Sequence, residues 1–171
     1  MITIVLGPMY SGKTSMILHR LERAYIAKQK VILLRPNIDN RGFLTHTGQK
    51  LDWLEEKFVD LDGLDVNKYD VIGLDEAQFF IGLKDFCMKY SNKNIFISAL
   101  HATSESEMFL PIIELIPYCE NIIKLNAVCT ECGSEYGNYT YYKTGRKTEK
   151  VKVGGSDEYT ALCFNCYKKM I

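Results

Sequence analysis

The sequence predicts an α/β fold, a mostly parallel sheet flanked by helices with a small C-terminal β lobe, on three observations. Short apolar runs alternate with helix-periodic segments through the first two-thirds of the chain. A glycine-bounded turn, Gly7 to Thr14, joins the first apolar run to the first helical pattern. After Val128 the texture changes to alternating aromatic and polar residues framed by two C-x-x-C pairs. A chain of 171 residues holds one α/β domain, 1–128, and an appended lobe, 129–171.

The elements follow in order. Ile2 to Leu6 is continuously apolar, as a strand buried on both faces must be. Beyond the turn, Met16, Ile17, Leu21 and Ala24 share one helical face. Val31 to Leu34 forms the second buried strand, ended by Arg35-Pro36. Residues 37–50 are polar, carry Gly42 and Gly48, and read as an excursion over the surface. Tyr69 to Leu74 is the third strand, Leu83 to Tyr90 a short helix, and Ile95 to Leu100 the fourth strand. A helix over Pro111 to Ile116 and a fifth strand, Ile122 to Val128, complete the core. In the lobe, Tyr136 to Tyr142 and Lys147 to Val153 read as a β-hairpin about Lys143-Thr144-Gly145-Arg146, with Gly154-Gly155 as the next loop.

Composition narrows the function classes. Twenty-one basic residues balance twenty-one acidic ones, which argues against a dedicated nucleic-acid binder. No apolar run is long enough to span a bilayer, and the first strand starts at Ile2 without a charged leader. A cytoplasmic location is therefore expected. In that reducing compartment cysteines serve metals or stay as thiols, and Cys87 and Cys119 read as buried spectators.

Gly7-Pro8-Met9-Tyr10-Ser11-Gly12-Lys13-Thr14 reads G-x-x-x-x-G-K-T between a strand and a helix. This is the pattern of a phosphate-binding loop, which makes the sheet P-loop NTPase-like. Backbone N–H groups in such a loop surround the phosphates, and the following helix aims its positive end at them. Lys13 is placed to reach the β- and γ-phosphates and Thr14 to offer its hydroxyl to Mg²⁺. A nucleoside triphosphate is the expected ligand.

Asp75-Glu76 ends the third strand, where a carboxylate organises the Mg²⁺ shell of a phosphoryl-transfer site. Asp75 takes that role; Glu76 either orients a water or accepts a proton from a substrate hydroxyl. Asp39-Asn40-Arg41 follows the second strand at the same sheet edge, with Arg41 able to fork onto phosphate and Asp39 able to join the metal shell. Cys129, Cys132, Cys163 and Cys166 form two C-x-x-C pairs, the donor set of a closed structural Zn²⁺ site.

GPMYSGKT near the start, RPNIDNR with His46 and Gly48 after it, DEAQFF, KLNAVCTEC and GGSDEYTALCFNCY together resemble the type II thymidine kinases, in motif order and over nearly the whole chain. The resemblance implies a P-loop core with a zinc-bearing lobe whose lasso-like loop covers the nucleoside. It implies transfer of the γ-phosphoryl of ATP to the 5′-hydroxyl of thymidine, with Glu76 as general base. Gly7 to Thr14 match the family's ATP loop, completed by Asp39, Arg41, Asp75 and Gln78. Met9, Leu100 and Thr140 match positions lining the base's methyl group, Tyr159 an aromatic closing the pocket, and Val151, Lys152, Val153 and Gly154 the segment whose backbone amides read the base edge. The four paired cysteines match the zinc ligands. A homotetramer and inhibition by dTTP are also implied.

Departures cluster around the base. Ser104 stands where the family carries a stacking aromatic and Ser106 where it carries an arginine. Losing such stacking costs about 1–3 kcal/mol. The loop at Val153-Gly154 is one residue shorter, and Thr140 is followed by Tyr141-Tyr142 where an arginine is common. His101 replaces an acid and reads as a surface or hydrogen-bonded histidine. Two alternatives stand beside thymidine kinase: a deoxynucleoside kinase of altered or broadened specificity, and a zinc-ribbon ATPase associated with nucleic acid.

Overall fold

In the computed structural model, which describes residues 1–38, 51–143 and 157–171, six parallel strands assemble, most of them built from the apolar runs. These are β1 (Ile2–Gly7), β2 (Val31–Pro36), β3 (Glu55–Val59), β4 (Val71–Leu74), β5 (Asn94–Leu100) and β6 (Asn121–Lys124). They lie in the order β3-β2-β4-β5-β1-β6, each paired in parallel with its neighbours. The register sets Leu34 opposite Leu74, Leu74 opposite Ile97 and Leu6 opposite Ala99, so the carboxyl ends of β2, β4, β5 and β1 share one edge. Ligands of open parallel sheets collect at that edge.

Both faces are covered. Ile2, Ile4 and Leu6 point to one side of β1 and meet Phe80, α2 (Leu83–Lys89) and α3 (Leu110–Leu115) through Leu83, Phe86, Ile112 and Leu115. Val5, one step out of phase, joins Leu33 and Val71 beneath α1 (Lys13–Ile26), whose Ile17, Leu21 and Ala24 are buried as the periodicity predicts. The lobe pairs β7 (Tyr139–Tyr142) with β8 (Tyr159–Leu162) in antiparallel register and ends in α4 (Phe164–Met170).

Several expectations change. The sequence reading assigned no strand to Glu55–Val59, because EEKFV carries three charges. It forms nonetheless, as an edge strand paired, among the described residues, only with β2, where charge is tolerated and discourages further pairing. The fifth predicted strand stops at Lys124 rather than Val128, since the chain leaves the sheet for the lobe and Ala127 makes an isolated bridge to Gly137. The strand expected from Tyr69 begins at Val71. In the lobe, β7 pairs with Tyr159–Leu162, a strand not anticipated, as α4 was not. The anticipated partner, 147–153, lies outside the described residues. Among the described residues no helix is long and apolar enough to cross a membrane.

Leu21 is fully buried between α1 and the sheet. Leu21→Ala is expected to destabilise the fold by about 2–5 kcal/mol, read as a lower midpoint in denaturant titration.

Candidate active site and metal cluster

The loop between β1 and α1 owes its path to two glycines. A Cβ on Gly7 would lie 2.8 Å from the Leu125 carbonyl oxygen and 2.5 Å from Ser11 Oγ. Gly12 has φ of 80°, in the left-handed region that glycine adopts without penalty, and caps α1. Lys13 and Thr14 thus open the helix directly above the carboxyl edge of β1. The Lys13 ammonium donates to the Pro8 carbonyl at 2.6 Å. Burial lowers its pKa, against the opposing pull of the Glu76 and Asp75 carboxylates.

Asp75 follows β4 directly, yet β4 and β1 are not neighbours: β5 lies between them. The gap is bridged by side chains. Asp75 Oδ1 accepts hydrogen bonds from Thr14 Oγ1 at 2.9 Å and from Ser98 Oγ on the intervening strand. Asp75 Oδ2 faces Arg35 Nη2 at 3.3 Å, and the carboxylate is 1% exposed. The oxygens of Thr14 and Asp75 suit a hard cation, for two adjacent ligands of Mg²⁺ with bonds of about 2.1 Å lie about 3.0 Å apart.

Glu76 has φ of 52° and ψ of 40°, a left-handed conformation that costs a non-glycine residue on the order of 1–2 kcal/mol. Such strain persists where the surroundings over-determine it, most often at functional sites. Here Gln78 Nε2 donates to Glu76 Oε2 at 2.7 Å, while Gln78 Oε1 accepts from the Leu100 backbone N–H at 3.0 Å. Gln78, expected near phosphate and metal, therefore touches the Glu76 carboxylate.

Residues expected at the nucleoside meet the loop from the lobe side. The Met9 N–H donates to Thr140 Oγ1 at 3.1 Å, and Tyr10 Oη donates to the Tyr159 carbonyl at 3.3 Å. The Ser104 carbonyl accepts from Tyr167 Oη at 3.4 Å, and that ring stacks on Tyr139 with centroids 4.5 Å apart. Asp39, Arg41, His46, Gly48, Val151, Lys152, Val153 and Gly154 lie outside the described residues. His101 is neither exposed nor fully satisfied: its Nδ1 is buried without a hydrogen bond among the described residues, and burial pushes the imidazole pKa down. Cys87 is buried and burial pushes its thiol up to about 12; Cys119 is half-buried, its thiol up to about 11.

Two contacts of the Asp75 carboxylate, with Arg35 and Ser98, are not foreseen from the sequence. Arg35 looked only like a strand terminus, although a charged residue ending a buried parallel strand is itself a signal. Ser98 sits inside an apolar run and gave none.

The four paired cysteines gather as expected. Cys129 and Cys132 come from a tight turn closed by the Gly133 N–H on the Cys129 carbonyl at 2.9 Å; Cys163 caps α4 and Cys166 lies in its first turn. All four Sγ atoms lie within 4.8 Å of one another, and Cys132 and Cys163 are 3.7 Å apart. A tetrahedron with metal–sulfur bonds of about 2.3 Å has edges of about 3.8 Å. Burial alone would raise the Cys129 thiol, but hydrogen bonds from the backbone of Cys163, Cys132 and Glu131 bring it down to about 6. Hydrogen bonding to Cys163 and Cys132 helps push Cys166 up to about 12. The donor set and spacing fit a Zn²⁺ ion with four thiolate ligands and no open position.

Comparison with known proteins agrees with this geometry. A sequence model of the thymidine kinase family matches residues 1–167. The thymidine kinase of vaccinia virus (strain Ankara) is 35% identical over 172 residues, covering 97% of this chain and 96% of the relative. That of rabbit fibroma virus (strain Kasza) is 36% identical, covering 97% and 95%. The cytosolic thymidine kinase of Bos taurus is 35% identical over 173 residues, covering 98% of this chain and 72% of the relative.

Native mass spectrometry is expected to find one zinc per chain, and Cys163→Ser to lose it and melt at a lower temperature. Equal melting temperatures for metal-loaded and chelator-stripped protein would contradict a structural metal.

Proposed function

The chain belongs to the thymidine kinase family, so it is a phosphotransferase acting on thymidine, and we propose that ATP is the donor and Glu76 the general base. The observation that carries this reading is the carboxylate pair at the end of β4. Asp75 is bonded to Thr14 of the phosphate loop, and Glu76, next in the chain, is held in strained backbone by Gln78. One acid serves the metal side and its neighbour serves the hydroxyl.

The residues divide the work. A sugar hydroxyl is a poor nucleophile, so Glu76 accepts its proton as the new O–P bond forms and the bond to the leaving ADP oxygen breaks. Gln78 fixes the plane of that carboxylate from the Leu100 backbone. The loop 7–14 offers its amides, and Lys13 its charge, to the β- and γ-phosphates. Thr14 and Asp75 would hold Mg²⁺, which when bound neutralises charge developing on the phosphoryl oxygens. Products are dTMP and ADP.

By family resemblance, Met9, Leu100, Thr140 and Tyr159 line the thymidine site with 151–154, Asp39 and Arg41 complete the phosphate end, and Cys129, Cys132, Cys163 and Cys166 hold structural Zn²⁺. We carry over a cytoplasmic homotetramer inhibited by dTTP on the same ground. A broader pyrimidine deoxynucleoside range is the second reading, favoured by the half-buried Ser104, which offers the base no ring. The nucleic-acid-associated ATPase has no support from a family of nucleoside kinases.

Glu76→Gln is expected to lower kcat for thymidine phosphorylation by about 10²–10⁴-fold while calorimetry reads unchanged ATP binding. Near-normal turnover would remove Glu76 from the role. In a panel of deoxynucleosides, thymidine is expected to have the highest kcat/KM; a strong preference for another base would favour the second reading.

A further inference from the structure

Arg35 is an arginine buried to 7% exposure at the end of β2, where every other residue of the strand is apolar or proline. Its register explains its neighbours. Arg35 pairs with Phe58 on the β3 side, and the pairing of Leu34 with Leu74 brings Asp75 beside it on the β4 side. Its Nη2 lies 3.3 Å from Asp75 Oδ2, its Nη1 donates to Glu56 Oε1 at 3.4 Å, and its guanidinium lies 5.7 Å from the centre of the Phe58 ring. The edge strand β3, to which the sequence reading assigned no strand, thus braces one arm of a fork whose other arm rests on Asp75.

The terminal torsion of an aspartate is soft and two-fold, so its rotamer does not decide which oxygen faces where. Partners decide it. At Asp75, Thr14 and Ser98 donate to Oδ1 and the Arg35 cation lies against Oδ2, which makes no hydrogen bond among the described residues. Burying a carboxylate without a countercharge costs several kcal/mol. Arg35 supplies that charge from the side away from the phosphate loop.

We propose that Arg35, braced by Glu56, is a positioning residue that holds the Asp75 carboxylate with Oδ1 toward Thr14 and so sets the affinity of the site for magnesium-bound triphosphate. The inference rests on the reading of Asp75 as the metal-organising acid. In this role Arg35 acts through Asp75, whose Oδ2 it faces at 3.3 Å. A lysine restores the charge but presents one compact ammonium where the guanidinium presents a planar fork, so it cannot serve both carboxylates in the same geometry.

The test is equilibrium calorimetry of ATP binding with excess Mg²⁺ and with EDTA, on the full chain, alongside thymidine KM and thermal melting. Arg35→Met is expected to weaken Mg²⁺·ATP binding about 10–100-fold, leaving metal-free ATP binding and thymidine KM within about twofold. Arg35→Lys recovers part of the loss, and Glu56→Gln shifts binding the same way by less. Should Arg35→Met fail to fold, Arg35→Lys and Glu56→Gln carry the same comparison. Unchanged Mg²⁺·ATP affinity in the folded variants overturns the proposal. So does equal weakening with and without Mg²⁺, which would make Arg35 a general attractor of anions. Asp75→Asn, run in parallel, separates the two ideas: if it too leaves Mg²⁺·ATP binding intact, the reading of Asp75 has failed and the inference falls with it.

Discussion

A carboxylate with 1% of its surface exposed is costly unless its oxygens are met, and Asp75 is met from three directions: Thr14 on α1, Ser98 on β5 and Arg35 on β2. Each partner comes from a different element of the sheet and its first helix. The strand order β2-β4-β5-β1 brings these elements to one edge, and the parallel register places their carboxyl ends side by side. The phosphate loop, the acid at β4 and the strained Glu76 after it are therefore one construction. Moving any of these strands by a residue would reverse which face the side chains occupy and disband the cluster.

The lobe extends this construction. β8 starts at Tyr159, whose carbonyl accepts from Tyr10 of the loop, and runs straight into Cys163, one of the four clustered thiols. Its partner β7 presents Thr140 to the Met9 N–H. The two-stranded sheet thus touches the phosphate loop through both of its strands, at Thr140 and at Tyr159, and runs directly into the cysteine cluster at Cys163. Two short strands are marginal by themselves. A metal held by the four clustered thiols would stabilise them at low cost in chain length.

Much of this was legible in the residues. The apolar runs at Ile2–Leu6 and Val31–Leu34 gave buried strands, the G-x-x-x-x-G-K-T turn gave the loop, and the cysteine pairs gave the cluster. The edge strand Glu55–Val59 was not legible, because an edge strand with charged residues lacks both the apolar run and the clean alternation that identify strands. The partner of β7 was not legible either: alternation shows that a strand exists and is silent on what it pairs with. Arg35 and Ser98 escaped for a related reason. Their importance comes from contacts made across the sheet, between segments distant in the chain, and nothing in their immediate neighbourhoods announces it. Gln78 belongs with them, because its hydrogen bonds to the Glu76 carboxylate and the Leu100 backbone join segments that the sequence alone does not bring together.

Everything proposed for the chemistry turns on where a sugar hydroxyl lies relative to Glu76. A crystal structure of the protein with thymidine, Mg²⁺ and a non-hydrolysable ATP analogue would show it. The thymidine 5′-oxygen is expected within about 3.2 Å of a Glu76 carboxylate oxygen and in line with the γ-phosphorus, with Gln78 still on Oε2. A 5′-oxygen held by another group, with Glu76 turned away from it, would rule out Glu76 as the base.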